Sequence, residues 1–146
     1  MIDMKKVMIF GTFDGLHPGH LDFFRQAKLK GDFLVVSVAR DKVVPDFKGN
    51  PPMFSESERF DLVSSCKLAD KAVLGDEKRG DFYRHIAREK PDVICLGYDQ
   101  WAQEDDVLEN LAKIGLEKTK VIRLSPYKGE THKSSKMKSK TWKDSL

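Results

Sequence analysis

Two histidines three residues apart stand within GTFDGLHPGH, residues 11 to 20, among the glycines Gly11, Gly15 and Gly19. Pro18 suits the first position of a helix, which puts His17 near the N-cap and His20 on the first turn. Backbone N–H groups at a helix start lack intrahelical partners and lie at the positive end of the helix dipole, so they attract an anion. Glycine lets the backbone approach that anion with no Cβ in the way. These residue types describe a phosphate site. No Gly-Lys-[Ser/Thr] follows, so this is not a P-loop, and the glycines do not have the G-x-G-x-x-G dinucleotide spacing. Shared ligation of a metal is an alternative for two histidines one turn apart, but no glutamate lies between them and no third ligand is evident. A purely structural pair is the other alternative.

A chemistry that suits this set is attack by a phosphate monoester on the α-phosphorus of a nucleoside triphosphate, with pyrophosphate leaving. The nucleophile needs no strong base, because a phosphate monoester with a second pKa of about 6 is already largely dianionic at neutral pH. The reaction does need donors aimed at the phosphoryl oxygens, and it needs two highly charged reactants held in line. Two imidazoles and a helix start supply donors, lysines supply countercharge, and Mg2+ would be carried by the triphosphate.

The elements that must position this loop are legible in the apolar runs. KVMIF (6–10), FLVVSVA (33–39), KAVL (71–74), DVICLG (92–97) and KVIRL (120–124) are expected strands. Helix signals lie between them, including Ser55 followed by Glu58 as a capping box, and FYRHIAREK before Pro91. Near-continuous apolar strands alternating with helices imply an α/β domain: a Rossmann-like open parallel five-stranded sheet with helices on both faces. Ligands of such sheets bind beyond the carboxyl ends of the strands, which selects the loops after Phe10, Ala39, Leu74, Gly97 and Leu124.

At 146 residues the chain is expected to form one domain, 1–146, with residues 139–146 fraying. The net charge of +3 is local: residues 126–146 carry six lysines against Glu130 and Asp144, and the other 125 residues sum to −1. That confinement favours a small-ligand anion site, or a solvated tail, over a nucleic-acid face. Cys66 and Cys95, 29 residues apart with no metal-binding spacing, are expected to be reduced thiols of a cytoplasmic protein. No apolar stretch approaches the ~20 residues that span a bilayer, and no signal peptide is expected.

GTFDGLHPGH resembles the HxGH signature, with its preceding G-T-F-D, of the nucleotidyltransferase superfamily that includes glycerol-3-phosphate and phosphocholine cytidylyltransferases and flavin adenylyltransferases. The resemblance implies a Rossmann-like fold, a common homodimer and use of Mg2+. It gives His17 and His20 the task of stabilising the transferring phosphate, and places Gly11, Thr12, Phe13, Asp14 and Gly19 along the nucleotide phosphates. Ser134-Ser135-Lys136 resembles the family's second signature, at the start of the last helix, which clamps the β- and γ-phosphates. Lys128 stands where cytidylyltransferases carry an arginine, keeping the charge but losing the bidentate fork. Gly97 and Asp99 resemble the segment near the nucleotide ribose. Lys48 resembles the lysine that meets the acceptor phosphate, counted with the catalytic residues, and Arg59 resembles a phosphate-side arginine that binds the acceptor. His85 reads as structural, and His132 adjoins the serine pair without an assigned role.

VARDKVVPDFKGNPP, then ADKAVLG, then KPDVICLGYDQ, most resembles the stand-alone archaeal-type FAD synthases, which are FMN adenylyltransferases. That resemblance implies ATP plus FMN giving FAD plus pyrophosphate. An apolar flavin slot would draw on Val43, Val44, Phe47, Met53, Phe54 and Trp101, which serve equally as core or contact residues. The alternatives are a CTP-dependent cytidylyltransferase for glycerol-3-phosphate or another small alcohol phosphate, and a non-catalytic nucleotide or nucleic-acid sensor.

Overall fold

A computed structural model of the chain describes residues 4–44, 52–78, 82–100 and 102–127. Five strands, β1 (Lys6–Gly11), β2 (Phe33–Val38), β3 (Lys71–Leu74), β4 (Val93–Leu96) and β5 (Lys120–Arg123), form one parallel sheet in the order β3-β2-β1-β4-β5. The described helices are α1 (Pro18–Lys28), α2 (Glu56–Ser64), α3 (Phe82–Glu89) and α4 (Glu104–Lys113). Each strand lies within a residue or so of its sequence-predicted bounds. The helix expected after β5 falls outside the described residues.

The near-continuous apolar strands are explained by burial on both faces. Alternate residues Val7 and Ile9 of β1 and Leu34, Val36 and Val38 of β2 meet Phe23, Phe24 and Ala27 of α1 and Val63 of α2. The intervening Met8, Phe10 and Val35 join Ile86 of α3 and Val107 and Leu111 of α4 on the other face. The period of two in strand side chains thus feeds two separate cores.

Chain order reverses direction between β1 and β4, which makes the gap beyond their carboxyl ends the topological switch point of the sheet. The GTFDGLHPGH loop leaves β1 there, and the Gly97 loop leaves β4 beside it. The fold therefore brings two segments some eighty residues apart in sequence to one edge.

Candidate active site

The two histidines cap their own helix. His17 is the N-cap of α1, with Pro18 following, and its Nδ1 accepts from the N–H of Gly19 at 3.0 Å and of His20 at 3.4 Å. In return His20 Nδ1 accepts from the His17 N–H at 3.3 Å. This is the reciprocal geometry of a capping box, made with imidazoles instead of Ser and Glu. A neutral imidazole that accepts at Nδ1 carries its proton on Nε2, so both rings are set as Nε2–H donors.

The rings stack with centroids 3.7 Å apart and planes 26° apart, and the buried His20 ring also meets the edge of Phe13 at 5.4 Å. Two cations at that separation would repel each other strongly. Burial moves His17 the same way, below the usual imidazole value of 6.5. The site thus presents neutral donors at a helix N-terminus, the arrangement that stabilises charge developing on a phosphoryl oxygen.

Several residues expected to line the loop support it from behind instead. Phe13 has a left-handed φ of 53° and a fully buried ring in the core, so only its backbone is left to meet a ligand. That ring lies so close over Gly11 that a Cβ there would sit 2.6 Å from Phe13 Cζ, which is the steric reason for glycine at the end of β1. Thr12 is also buried. The Asp14 carboxylate accepts from the N–H groups of Met53 at 2.7 Å and Phe54 at 2.8 Å. It therefore staples the loop to the segment entering α2. The Ser55–Glu58 capping box, reciprocal as its sequence implies, starts that helix.

Arg59, expected at the acceptor phosphate, has other partners. It is fully buried, with Nε donating to the Phe54 carbonyl (3.0 Å), Nη1 to those of Thr12 (2.9 Å) and Ala39 (2.7 Å), and Nη2 to Asp41 Oδ1 (2.6 Å). The guanidinium ties together the loops after β1 and β2 and the entry to α2, so its described bonds position the site. Asp41 and Glu56 strengthen the same joint, since each carboxylate accepts the other residue's N–H (2.9 and 3.2 Å).

Opposite, the loop after β4 is held by two side chains that no sequence pattern singled out. Gln100 accepts from the Gly97 N–H at 2.8 Å and donates to the Phe10 carbonyl at 2.7 Å, bridging the ends of β4 and β1. Arg123, at the end of β5, donates to the carbonyls of Gly97 (2.8 Å), Gln100 (3.1 Å) and Ala102 (2.6 Å) and to Glu104. The only available signal was a charged residue at the ligand-side end of the apolar run KVIRL. Beside this loop lies a small open pocket lined by Gly19, Asp22, Gly97, Tyr98, Ser125 and Tyr127, among others. It joins the first turns of α1 to the loops after β4 and β5. Gly19 and Gly97 of the expected nucleotide set meet there, whereas Asp99 is exposed on the turn and does not line it.

Lys48, Lys128, Ser134, Ser135, Lys136, Phe47, Trp101 and His132 lie outside the described residues. Of the flavin-slot candidates, Val43 and Val44 are buried. Met53 is 81% exposed and Phe54 39%, at the segment held by Asp14. His85 is buried on α3, with Nε2 2.8 Å from Ser37 Oγ and Nδ1 3.3 Å from Asp76 Oδ2.

The cytidylyltransferase-like family model matches residues 8–140. A protein named FAD synthase from Thermoplasma volcanium is 40% identical over 137 residues, 94% of each chain. Another of that name, from Ferroglobus placidus, is 48% identical over 122 residues, 83% of this chain and 76% of that one. Among solved structures, one titled lipopolysaccharide core biosynthesis protein from Thermoplasma volcanium superposes with a TM-score of 0.81 at 41% identity, covering 86% of this chain and 99% of that one. A pantoate-beta-alanine ligase from Francisella tularensis, at 16% identity and a TM-score of 0.59, covers 83% of this chain and 59% of its own, and shares the fold alone.

Proposed function

This chain belongs to the cytidylyltransferase-like family, and on that premise we propose that it is an FMN adenylyltransferase, converting ATP and FMN to FAD and pyrophosphate. The observation that carries the chemistry is the reciprocal imidazole cap, which holds both Nδ1 atoms on backbone N–H groups and both protons on Nε2. The observation that favours FMN over other acceptors is the 40–48% identity to proteins named FAD synthase along most of their length.

The FMN phosphate attacks the α-phosphorus of ATP directly; one P–O bond forms as the bond to the β-phosphate oxygen breaks, and pyrophosphate carries off the charge. No side chain need remove a proton from the nucleophile. His17 and His20 donate to the transferring phosphoryl group, and the first turn of α1 adds its N–H groups. Gly97 and the pocket beside it receive the nucleoside, and Asp99, on the exposed turn outside that pocket, is given the ribose contact by the family resemblance alone. Lys128, Ser134, Ser135 and Lys136 hold the β- and γ-phosphates. Lys48 meets the acceptor phosphate, with Arg59 fixing the loops around it.

The carboxylates of Asp14 and Asp22 are already engaged, on two backbone N–H groups and on Gln26, and the histidine Nδ1 atoms are engaged too. This donor set suits a Mg2+ ion held mainly by triphosphate oxygens, where it would neutralise charge on the leaving pyrophosphate. Cys66 and Cys95 are free thiols, and burial pushes the Cys95 thiol up to about 11. No described helix is long and apolar enough to cross a membrane. The family resemblance adds a homodimer to the proposal.

A matrix of ATP and CTP against FMN, glycerol-3-phosphate and other alcohol phosphates, scored by pyrophosphate release with Mg2+, tests this reading. Formation of FAD from ATP and FMN supports it. Turnover only with CTP and an alcohol phosphate, or tight nucleotide or DNA binding without turnover, overturns it.

A further inference from the structure

One carboxamide joins the helix that carries the histidines to the chain that leaves β5. Gln26 lies on α1, one turn beyond Asp22. Its Nε2 donates to Asp22 Oδ2 at 2.7 Å and to the Ser125 carbonyl at 2.9 Å, and its Oε1 accepts from the Ser125 N–H at 3.0 Å. The residues are 99 apart in sequence. β5 is an edge strand whose last ladder contact is Leu124 N–H to the Leu96 carbonyl at 2.8 Å, so Ser125 has left the sheet when Gln26 takes both of its backbone groups.

Two bonds to one residue fix direction and register as a neighbouring strand would. The carboxamide cannot turn over without facing its oxygen to the Asp22 carboxylate and the Ser125 carbonyl, which only accept, so Asp22 sets the orientation of the amide. Asp22, Ser125 and Tyr127 line the pocket beside Gly19, and the sequence then runs on to Lys128 and Ser134-Ser135-Lys136.

We propose that Gln26 is a positioning residue for the nucleoside triphosphate: without touching substrate, it registers residues 125–127 against α1 and so holds the Ser125 and Tyr127 wall of the pocket against Gly19 and Gly97. This rests on the proposed nucleotidyl transfer and adds a side chain that shapes its nucleotide pocket.

The test is calorimetric binding of Mg·ATP to the full chain, which needs no acceptor. Gln26→Glu keeps the length and can still accept from Ser125 N–H, but it turns a carboxylate oxygen toward Asp22 and the Ser125 carbonyl. At pH 8 its ATP affinity should fall by about tenfold or more relative to wild type, as for loss of charge-assisted hydrogen bonds. Gln26→Leu should show a comparable loss, and Asp22→Asn in the Gln26→Glu background should restore part of the affinity, because an amide at position 22 can donate to the new carboxylate. Folded variants, by circular dichroism, that bind ATP like wild type overturn the inference, as does a double variant no better than Gln26→Glu alone. A wild type that binds ATP but makes no FAD would instead remove FMN as acceptor, leaving this test readable.

Discussion

Replacing Arg59 by methionine separates a guanidinium that holds the site from one that touches substrate. The side chain is fully buried and donates to three carbonyls and to Asp41. Losing one partner of a fully buried pair typically costs about 3–5 kcal/mol. Here the Asp41 side chain is 44% exposed, so water screens the Coulombic part and it contributes at most ~1 kcal/mol. The larger loss comes from the carbonyls of Thr12, Ala39 and Phe54, at roughly 1 kcal/mol each and more where water cannot reach. The expected destabilisation is therefore on the order of 3–4 kcal/mol, which for a chain of this size lowers Tm by roughly 10 °C. Arg59→Lys should recover only part, because an ammonium cannot span the same four acceptors. Thermal unfolding by circular dichroism gives the stability, and steady-state kinetics well below Tm give KM for FMN and kcat. If Arg59 positions the loops, the loss of stability comes first and activity falls with it. A methionine variant of unchanged Tm whose KM for FMN rises tenfold would refute that reasoning and make the guanidinium a phosphate contact.

His20→Ala should lower kcat by ~10² or more, as for loss of one transition-state donor, and also lower Tm because a buried stacked ring is removed; kcat within threefold of wild type would end the donor assignment. Burial lowers the pKa of His17 and of His85, where the Asp76 carboxylate opposes it without reversing it. For both, the unfolded chain takes up protons first as pH falls, so their contribution to stability is complete above about 6.5 and declines as pH drops through the folded values below that. Denaturant unfolding from pH 8 to 5 with NMR titration of the imidazoles checks this; folded values above 6.5 would contradict it.

How much of this was visible in the residues varies with the range of the interactions involved. The strands were legible because a parallel sheet buried on both faces makes nearly every position apolar, as in FLVVSV, where Ser37 alone is polar, and the Ser55–Glu58 box was legible because its partners are three residues apart. Pro18 located the start of α1, and with it the N-cap position of His17. The imidazole cap was hidden only by chemistry: HPGH has the spacing of a capping box with uncommon residues in it. What sequence could not give was tertiary. Arg59 reads as a surface or substrate arginine until the loops after β1 and β2 are seen converging on it. Phe13 reads as part of the phosphate loop until its positive φ turns the ring into the core. Gln26, Gln100 and Arg123 act on backbone groups, whose positions no side-chain pattern records.

The stereochemical course at the α-phosphorus tests the central claim most directly. With FMN, Mg2+ and ATP made chiral at phosphorus by an α-thio substitution, direct in-line transfer between neutral histidine donors should give thio-FAD with inverted configuration. Retention would mean a covalent nucleotidyl intermediate on the protein, with a histidine as nucleophile, and would contradict the account.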